Sequence, residues 1–237
     1  MGQADCVRVE HARAKLTLSL RVTGVREDGY HLIDAEMVTL DLADTLVFAL
    51  GDGVELVPLV HVPRFEPTLV TRALEAVGRS AFVRLEKRIP VGGGLGGGSA
   101  DAAAVLRWAG CTDMAIAASL GADVPFCLVG GRARITGVGD VIEPLPVERR
   151  TFTLLSPPLQ VSSAAVYAMW DELGGPSGVN GNDLEPAALA VEPRLAVWRD
   201  QLGDATGRTP RLAGSGSTWF VEGDFPGEGR RVVRTER

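Results

Sequence analysis

The residues from Pro90 to Asp101, Pro-Val-Gly-Gly-Gly-Leu-Gly-Gly-Gly-Ser-Ala-Asp, are suited to holding an anion. Six of them are glycine, and an alanine-rich run from Ala100 to Ala109 follows directly. Without a Cβ the backbone takes positive φ and approaches a ligand closely. Successive N–H groups can then converge on one concavity, to which the start of the next helix adds free donors and a positive dipole end. A phosphate is the ligand such a nest suits. Two charged residues elsewhere could work beside it. Lys15 opens the strand-like Lys15-Leu16-Thr17, and Asp123 sits in the apolar stretch Gly121-Ala122-Asp123-Val124-Pro125-Phe126. Read alone, Lys15 is also a solvated strand-end charge, and Asp123 is also a helix cap or turn former. A carboxylate held in low dielectric otherwise demands a partner.

The glycine stretch is not a flexible linker, which would carry polar flanks. The apolar Ala81 to Leu85 precedes it, and a helix follows, with Ser99 placed to cap it and Gly110 to end it. Nor is it a Walker loop, since Ser99 stands where the lysine is needed. Gly92, Gly94 and Gly97 match the dinucleotide spacing, but Lys87-Arg88-Ile89-Pro90 separates the strand from the loop, and no second strand ends in an acid at the required distance.

Around this stretch, 237 residues with 46% hydrophobic content describe a packed globule of one large or two modest domains. Charges interrupt every apolar run before it could span a membrane, and the first residues show no secretory signal. Cys6, Cys111 and Cys127 are widely spaced and read as reduced thiols with no metal-ligand spacing. A net charge of −6 without a basic block argues against nucleic acid as partner.

Alternation predicts strands at 7–9, 16–22, 36–42, 45–49 and 54–57. A helix over 69–77 precedes the loop, and a short helix over 115–120 and a strand over 132–136 come after its helix. A polar break near 147–150 is followed by a strand at 151–155 and helices at 164–173 and 194–202, with a Gly/Asn/Pro-rich loop between the helices. A strand pair then flanks the glycine turn Gly214-Ser215-Gly216-Ser217, and residues 227–237 read as a frayed polar tail. The restart after 147 divides the chain into residues 1–147 and 148–237.

The loop resembles the phosphate loop of the GHMP kinases, with Pro90 and Gly94-Leu95-Gly96 carrying the signature and Gly97-Gly98-Ser99 behind it. Gly29-Tyr30-His31, Gly121-Ala122-Asp123-Val124-Pro125 and Asn182-Asp183-Leu184-Glu185-Pro186 extend the resemblance from about Lys15 to Phe220. Within the family they point to the members that phosphorylate the 2-hydroxyl of a cytidine diphosphate alcohol, 4-diphosphocytidyl-2-C-methyl-D-erythritol, in non-mevalonate isoprenoid precursor biosynthesis. The resemblance implies an α+β, two-lobed GHMP kinase fold. Its N-terminal, ATP-binding lobe is like ribosomal protein S5 domain 2, its C-terminal lobe is ferredoxin-like, and the site lies in the cleft between them.

It further implies that Lys15 and Asp123 are catalytic. A general base activates an alcohol, and a cation beside it stabilises the developing alkoxide. ATP, with Mg²⁺, would be bound by Lys87, Pro90, Gly92, Gly93, Gly94, Leu95, Gly96, Gly97, Gly98, Ser99, Gly214, Ser215 and Gly216. Ser99 is the candidate metal contact; Asp101 suits the helix dipole but would repel phosphate. The cytidine would lie against Tyr30 and His31, with Tyr167 as second aromatic. The expected protein is cytoplasmic, a monomer or homodimer, with small molecules and neither nucleic acid nor membrane as partners.

Three departures stand out. Thr17 replaces a family Asn, Pro67-Thr68-Leu69 replaces Asp-Asn-Leu on the adenine side, and Ala100 replaces a Ser. Two alternatives stay open: another small-molecule GHMP kinase acting on a sugar or amino-acid alcohol, and a GHMP-fold protein that binds without turnover.

Overall fold

The alternation near the start of the chain is realised in two long strands. A computed structural model describes residues 7–57 and 68–236. Strand β1 (Arg8–Val25) buries Ala12, Ala14, Leu16, Leu18 and Leu20 on one face, as a period of two requires. Lys15 and Thr17, on the other face, are buried as well. Strand β2 (His31–Ala49) runs unbroken where the sequence suggests two strands. The apparent interruption is Asp44, which is wholly buried yet stays in the strand because Lys87 and the backbone N–H groups of Arg88 and Ile89 donate to its carboxylate.

The chain forms two compact units, each assembled from separate segments. The first contains residues 7–14, 42–57, 68–91 and 96–130. In it the later part of β2 pairs antiparallel with β4 (Phe82–Glu86), and β4 pairs in parallel with β3 (Gly53–Val57). Helix α1 (Thr68–Ala76) packs on α2 (Gly97–Ala109), which also contacts α3 (Met114–Leu120) and α4 (Val124–Val129). Ala100 and every residue from Ala102 to Leu106 are buried, so the middle of α2 is enclosed on all sides, the mark of an internal helix, with Asp101 its one buried charge. Trp108, near its end, stacks on Phe48 at 4.6 Å between centroids.

The second unit contains residues 15–41, 92–95 and 131–236. Here the earlier part of β2 pairs antiparallel with β5 (Arg132–Gly137), which pairs with β6 (Val141–Leu145). A second run joins β7 (Thr151–Leu155), β8 (Arg211–Leu212), β9 (Trp219–Glu222) and β10 (Arg230–Glu236), with β10 beside β7 and also meeting β2. Helices α5 (Ser163–Glu172), α6 (Glu185–Val191) and α7 (Leu195–Thr206) complete it.

Several local expectations need correction. Residues 230–236 are a strand, not a frayed tail; their backbone is held by pairing with β7 and β2 rather than by their own apolarity. Ser99 does not cap α2. Gly96, in the left-handed conformation at φ 69°, is the N-cap, so the helix starts three residues before the first good helix former. Gly110 ends it as expected, at φ 72°. Helices α4 and α6 and strand β6 lie where the sequence reading gave no element. Both helices carry Pro in their first turn, a position where its missing N–H costs nothing. Cys111 is a free thiol and Cys127 lies on α4, whereas Cys6 and Pro67 lie outside the described residues, as does the side chain of Thr68. Among the described residues no helix is long and apolar enough to cross a membrane.

Candidate active site

The glycine stretch leaves β4, passes through three left-handed glycines (Gly92, Gly94 and Gly96) and enters α2. Gly94 is the position where glycine is indispensable. A Cβ there would lie 2.7 Å from the Gly216 carbonyl oxygen and closer still to that of Ala213, and its φ of 75° disfavours any side chain. The phosphate-loop candidate is thus seated directly on the turn after β8. Thr218 N–H donates to Gly93 O at 3.2 Å, and Asn182 Nδ2 holds the turn from the other side, at 3.0 Å from Leu212 O and 2.7 Å from Gly214 O. Asn182, part of a segment that carries the family resemblance, therefore shapes the second glycine turn. Ser215 Oγ lies 2.7 Å from Ser163 Oγ at the start of α5.

Lys15 belongs to the same cluster. Its backbone N–H donates to Leu95 O at 3.0 Å, and its ammonium donates to Thr17 Oγ1 at 3.1 Å. A Cβ on Gly214 would stand 3.5 Å from Lys15 Nζ. Strand periodicity explains this: residues 15 and 17 share the face of β1 that their apolar neighbours do not use. Lys15, Gly93, Gly94, Leu95, Gly214 and Gly216 are thus gathered in the second unit.

In the first unit, helix α2 offers the N–H groups of Gly97, Gly98 and Ser99 at an N-terminus without a side-chain cap. Lys87 lies against this turn: a Cβ on Gly97 would stand 3.3 Å from its Nζ. The ammonium is 3% exposed and sits between two carboxylates, Asp44 and Asp101, at 2.6 Å from Asp101 Oδ2. Asp101, awkward in sequence beside a phosphate, is buried and turned to Lys87. Burial pushes its carboxyl up to about 7; Lys87 opposes that rise and the Asp44 charge adds to it. Burial also works against the Lys87 ammonium, but the Asp101 and Asp44 charges outweigh it and its pKa rises. Asp101 Oδ1 is buried without a hydrogen-bond partner among the described residues. The sequence reading missed Asp44. The signal for a buried Asp101 was present in the apolar residues on every side of it along the helix.

Asp123 precedes α4 as its N-cap residue but makes no side-chain cap hydrogen bond, which removes the helix-cap explanation for a carboxylate at this position. It is half-buried and belongs to the first unit, as does Pro90.

The aromatic residues form a separate group in the second unit. His31, the first residue of β2, has its ring 4.7 Å from that of Tyr167, tilted by 34°, and 5.6 Å from Trp170, edge-on. Its Nε2 lies 2.9 Å from Asp171 Oδ1. Tyr30 points outward, 64% exposed, with the Arg26 guanidinium 5.9 Å from its ring centre. Trp170 and Asp171 were not singled out in the sequence; helical spacing from Tyr167 places them on the same face.

Residues 68–131 match the GHMP kinases N terminal domain. A 4-diphosphocytidyl-2-C-methyl-D-erythritol kinase of Paracoccus denitrificans is 40% identical over 235 residues, covering 90% of this chain and 86% of the relative. The chain belongs to the 4-diphosphocytidyl-2-C-methyl-D-erythritol kinase family. A second member of that family, from Cereibacter sphaeroides, is 37% identical over 88% of this chain and 87% of its own. A crystal structure of a 4-(cytidine 5'-diphospho)-2C-methyl-D-erythritol kinase superposes with a TM-score of 0.75 at 29% identity, covering 97% of this chain and all of that one. The Methanococcus jannaschii mevalonate kinase, at 12% identity and a TM-score of 0.57, shares the fold. The α+β GHMP kinase fold read from the sequence is thereby shown.

Proposed function

We infer that this chain transfers the γ-phosphoryl group of ATP to the 2-hydroxyl of 4-diphosphocytidyl-2-C-methyl-D-erythritol. The observation that carries the reading is the seating of Gly94 on Ala213 and Gly216 with the Lys15 ammonium beside Gly214. Two glycine-rich backbones and a buried cation meet there, which suits a polyphosphate and the charge that moves during its transfer. Membership of a kinase family over nine-tenths of the chain supplies the reaction class.

In this reading the N–H groups from Gly92 to Ser99 and from Gly214 to Gly216 hold the donor phosphates. Lys87 supports them from beneath by joining β4 to α2. Asp123 takes the proton from the acceptor hydroxyl while Lys15 stabilises the developing alkoxide. Phosphoryl transfer otherwise needs alignment and charge neutralisation more than covalent chemistry. The base of the acceptor lies against Tyr30, His31 and Tyr167.

ATP reacts as its Mg²⁺ complex in this chemistry. Among the described residues no group of three or more His, Cys, Asp or Glu could hold a metal, so the residues do not fit a cage made by the protein alone. They do fit an ion carried mainly by phosphate oxygens, with the Ser99 hydroxyl as the loop's contribution. When bound, the ion neutralises donor charge.

The test is mass detection of phosphorylated product from the cytidyl alcohol and ATP, run beside Asp123→Asn. Turnover in the variant is expected to fall by about 10²–10⁴-fold, the range for losing a general base, while ATP binding by calorimetry is unchanged. No product from the wild type refutes the substrate; wild-type turnover in the variant refutes the base.

A further inference from the structure

Three neighbours of the His31 imidazole come from one turn of α5. Tyr167, Trp170 and Asp171 stand at positions i, i+3 and i+4, the spacing that puts side chains on one helix face. Tyr167 covers one side of the ring, and Trp170 meets it edge-on. Trp170 is itself fixed, because its indole N–H donates to Pro176 O at 2.9 Å. The His31 side chain is only 10% exposed. Its one hydrogen bond among the described residues joins Nε2 to Asp171 Oδ1.

An ionised carboxylate only accepts hydrogen bonds. The proton of the imidazole therefore belongs on Nε2, and a neutral ring presents Nδ1 as an acceptor. We propose that Asp171 is the positioning residue of the base-binding end of the site, fixing the His31 ring so that Nδ1 accepts from the exocyclic amine of a cytosine. This rests on the cytidyl reading above and adds the group that enforces base identity.

Cytosine carries an amino donor at the position where uracil carries a carbonyl acceptor. A uracil placed the same way would set two acceptors face to face, leaving both without a donor in a partly desolvated site. Discrimination between the bases by one such contact is on the order of tenfold to a hundredfold. Asp171 touches no part of the acceptor in this arrangement. It acts through His31, so its loss weakens acceptor binding and leaves the phosphoryl-transfer step alone.

Three forms of the full chain decide it: wild type, Asp171→Ala and Asp171→Asn. Asn keeps an acceptor oxygen for Nε2–H but not the charge, and Ala keeps neither. In ligand-free protein, ¹H–¹⁵N spectra of the wild type and the Asn variant should show His31 protonated on Nε2 with Nδ1 bare. The Ala variant should lose the hydrogen-bonded Nε2–H signal. With the cytidyl alcohol, Asp171→Ala should raise the acceptor KM about tenfold, with kcat and the KM for ATP within about twofold of wild type. Its preference for the cytidyl over the uridyl alcohol should fall, and Asp171→Asn should restore both. An unchanged acceptor KM in Asp171→Ala, an Asn variant as impaired as Ala, or a proton on Nδ1 would overturn the proposal. A wild type that is inactive on the cytidyl alcohol, with its proton nonetheless on Nε2, would overturn the substrate reading and the base-reading role with it. That outcome is distinct from a failure of Asp171 alone.

Discussion

Replacing Asp101 by Asn should flatten the dependence of stability on pH. In the folded protein Asp101 is 1% exposed, and it shares one ammonium with Asp44. Burial lifts its carboxyl to about 7, whereas in the unfolded chain it returns near the reference of 3.8. Between these values the folded state holds a proton that the unfolded state has released. Stability therefore falls as pH rises through this window and levels off above the folded value. With about 1.4 kcal/mol for each unit of difference, the loss between pH 5 and pH 8 is about 2–3 kcal/mol. An amide at position 101 carries no such proton. It leaves Lys87 and Asp44 as a balanced pair and keeps an oxygen for the ammonium. The assay is urea unfolding at pH 5, 6, 7 and 8 for both proteins. Groups distant from position 101 cancel in the difference, which leaves Asp101 together with the two partners it touches, Lys87 and Asp44. The wild type should lose about 2–3 kcal/mol relative to the variant across the series. Parallel curves, with a constant difference, would refute a buried carboxyl that gains its proton on folding.

Two further outcomes follow from the geometry. Gly94→Ala should cut kcat by about 100-fold or more, the scale expected when reacting groups are displaced by an ångström, because the new Cβ would press on the carbonyls of Ala213 and Gly216. Steady-state kinetics beside circular dichroism check it, and a folded variant with wild-type kcat contradicts the seating. Deleting the chain from Arg230 onward should abolish soluble, folded protein, since β10 pairs with both β7 and β2. A soluble truncation with a wild-type far-ultraviolet spectrum would show that the strand is dispensable.

The sequence revealed the parts of this molecule that depend on near neighbours. The glycine loop, the stop at Gly110, the strand at 151–155 and the turn around Gly214 are written in local residue types, and each lies where expected. What it hid depends on distant partners. Residues 230–236 look polar and frayed because only Val233 faces the core; their strand exists because β7 and β2 supply hydrogen bonds. The unbroken β2 could not be read because Asp44 resembles a turn residue until Lys87 is known to meet it. The start of α2 was misplaced because Ser is the commoner cap, whereas here left-handed Gly96 does that work. For the candidate site, residue types single out Lys15, His31 and the glycines as candidates. Asp44 meets Lys87 and the backbone of residues 88 and 89, Asp171 meets His31, and neither belongs to a motif of its own.

The position of β10 also governs how the second unit is made. Its partners, β2 and β7, precede it by many residues, so two rows of backbone donors and acceptors stay unmatched until this late segment arrives. A chain that must wait for such distant pairing folds slowly and passes through states with open strand edges. During synthesis the edges of β2 and β7 that face β10 stay open to mispairing until residues 230–236 have emerged.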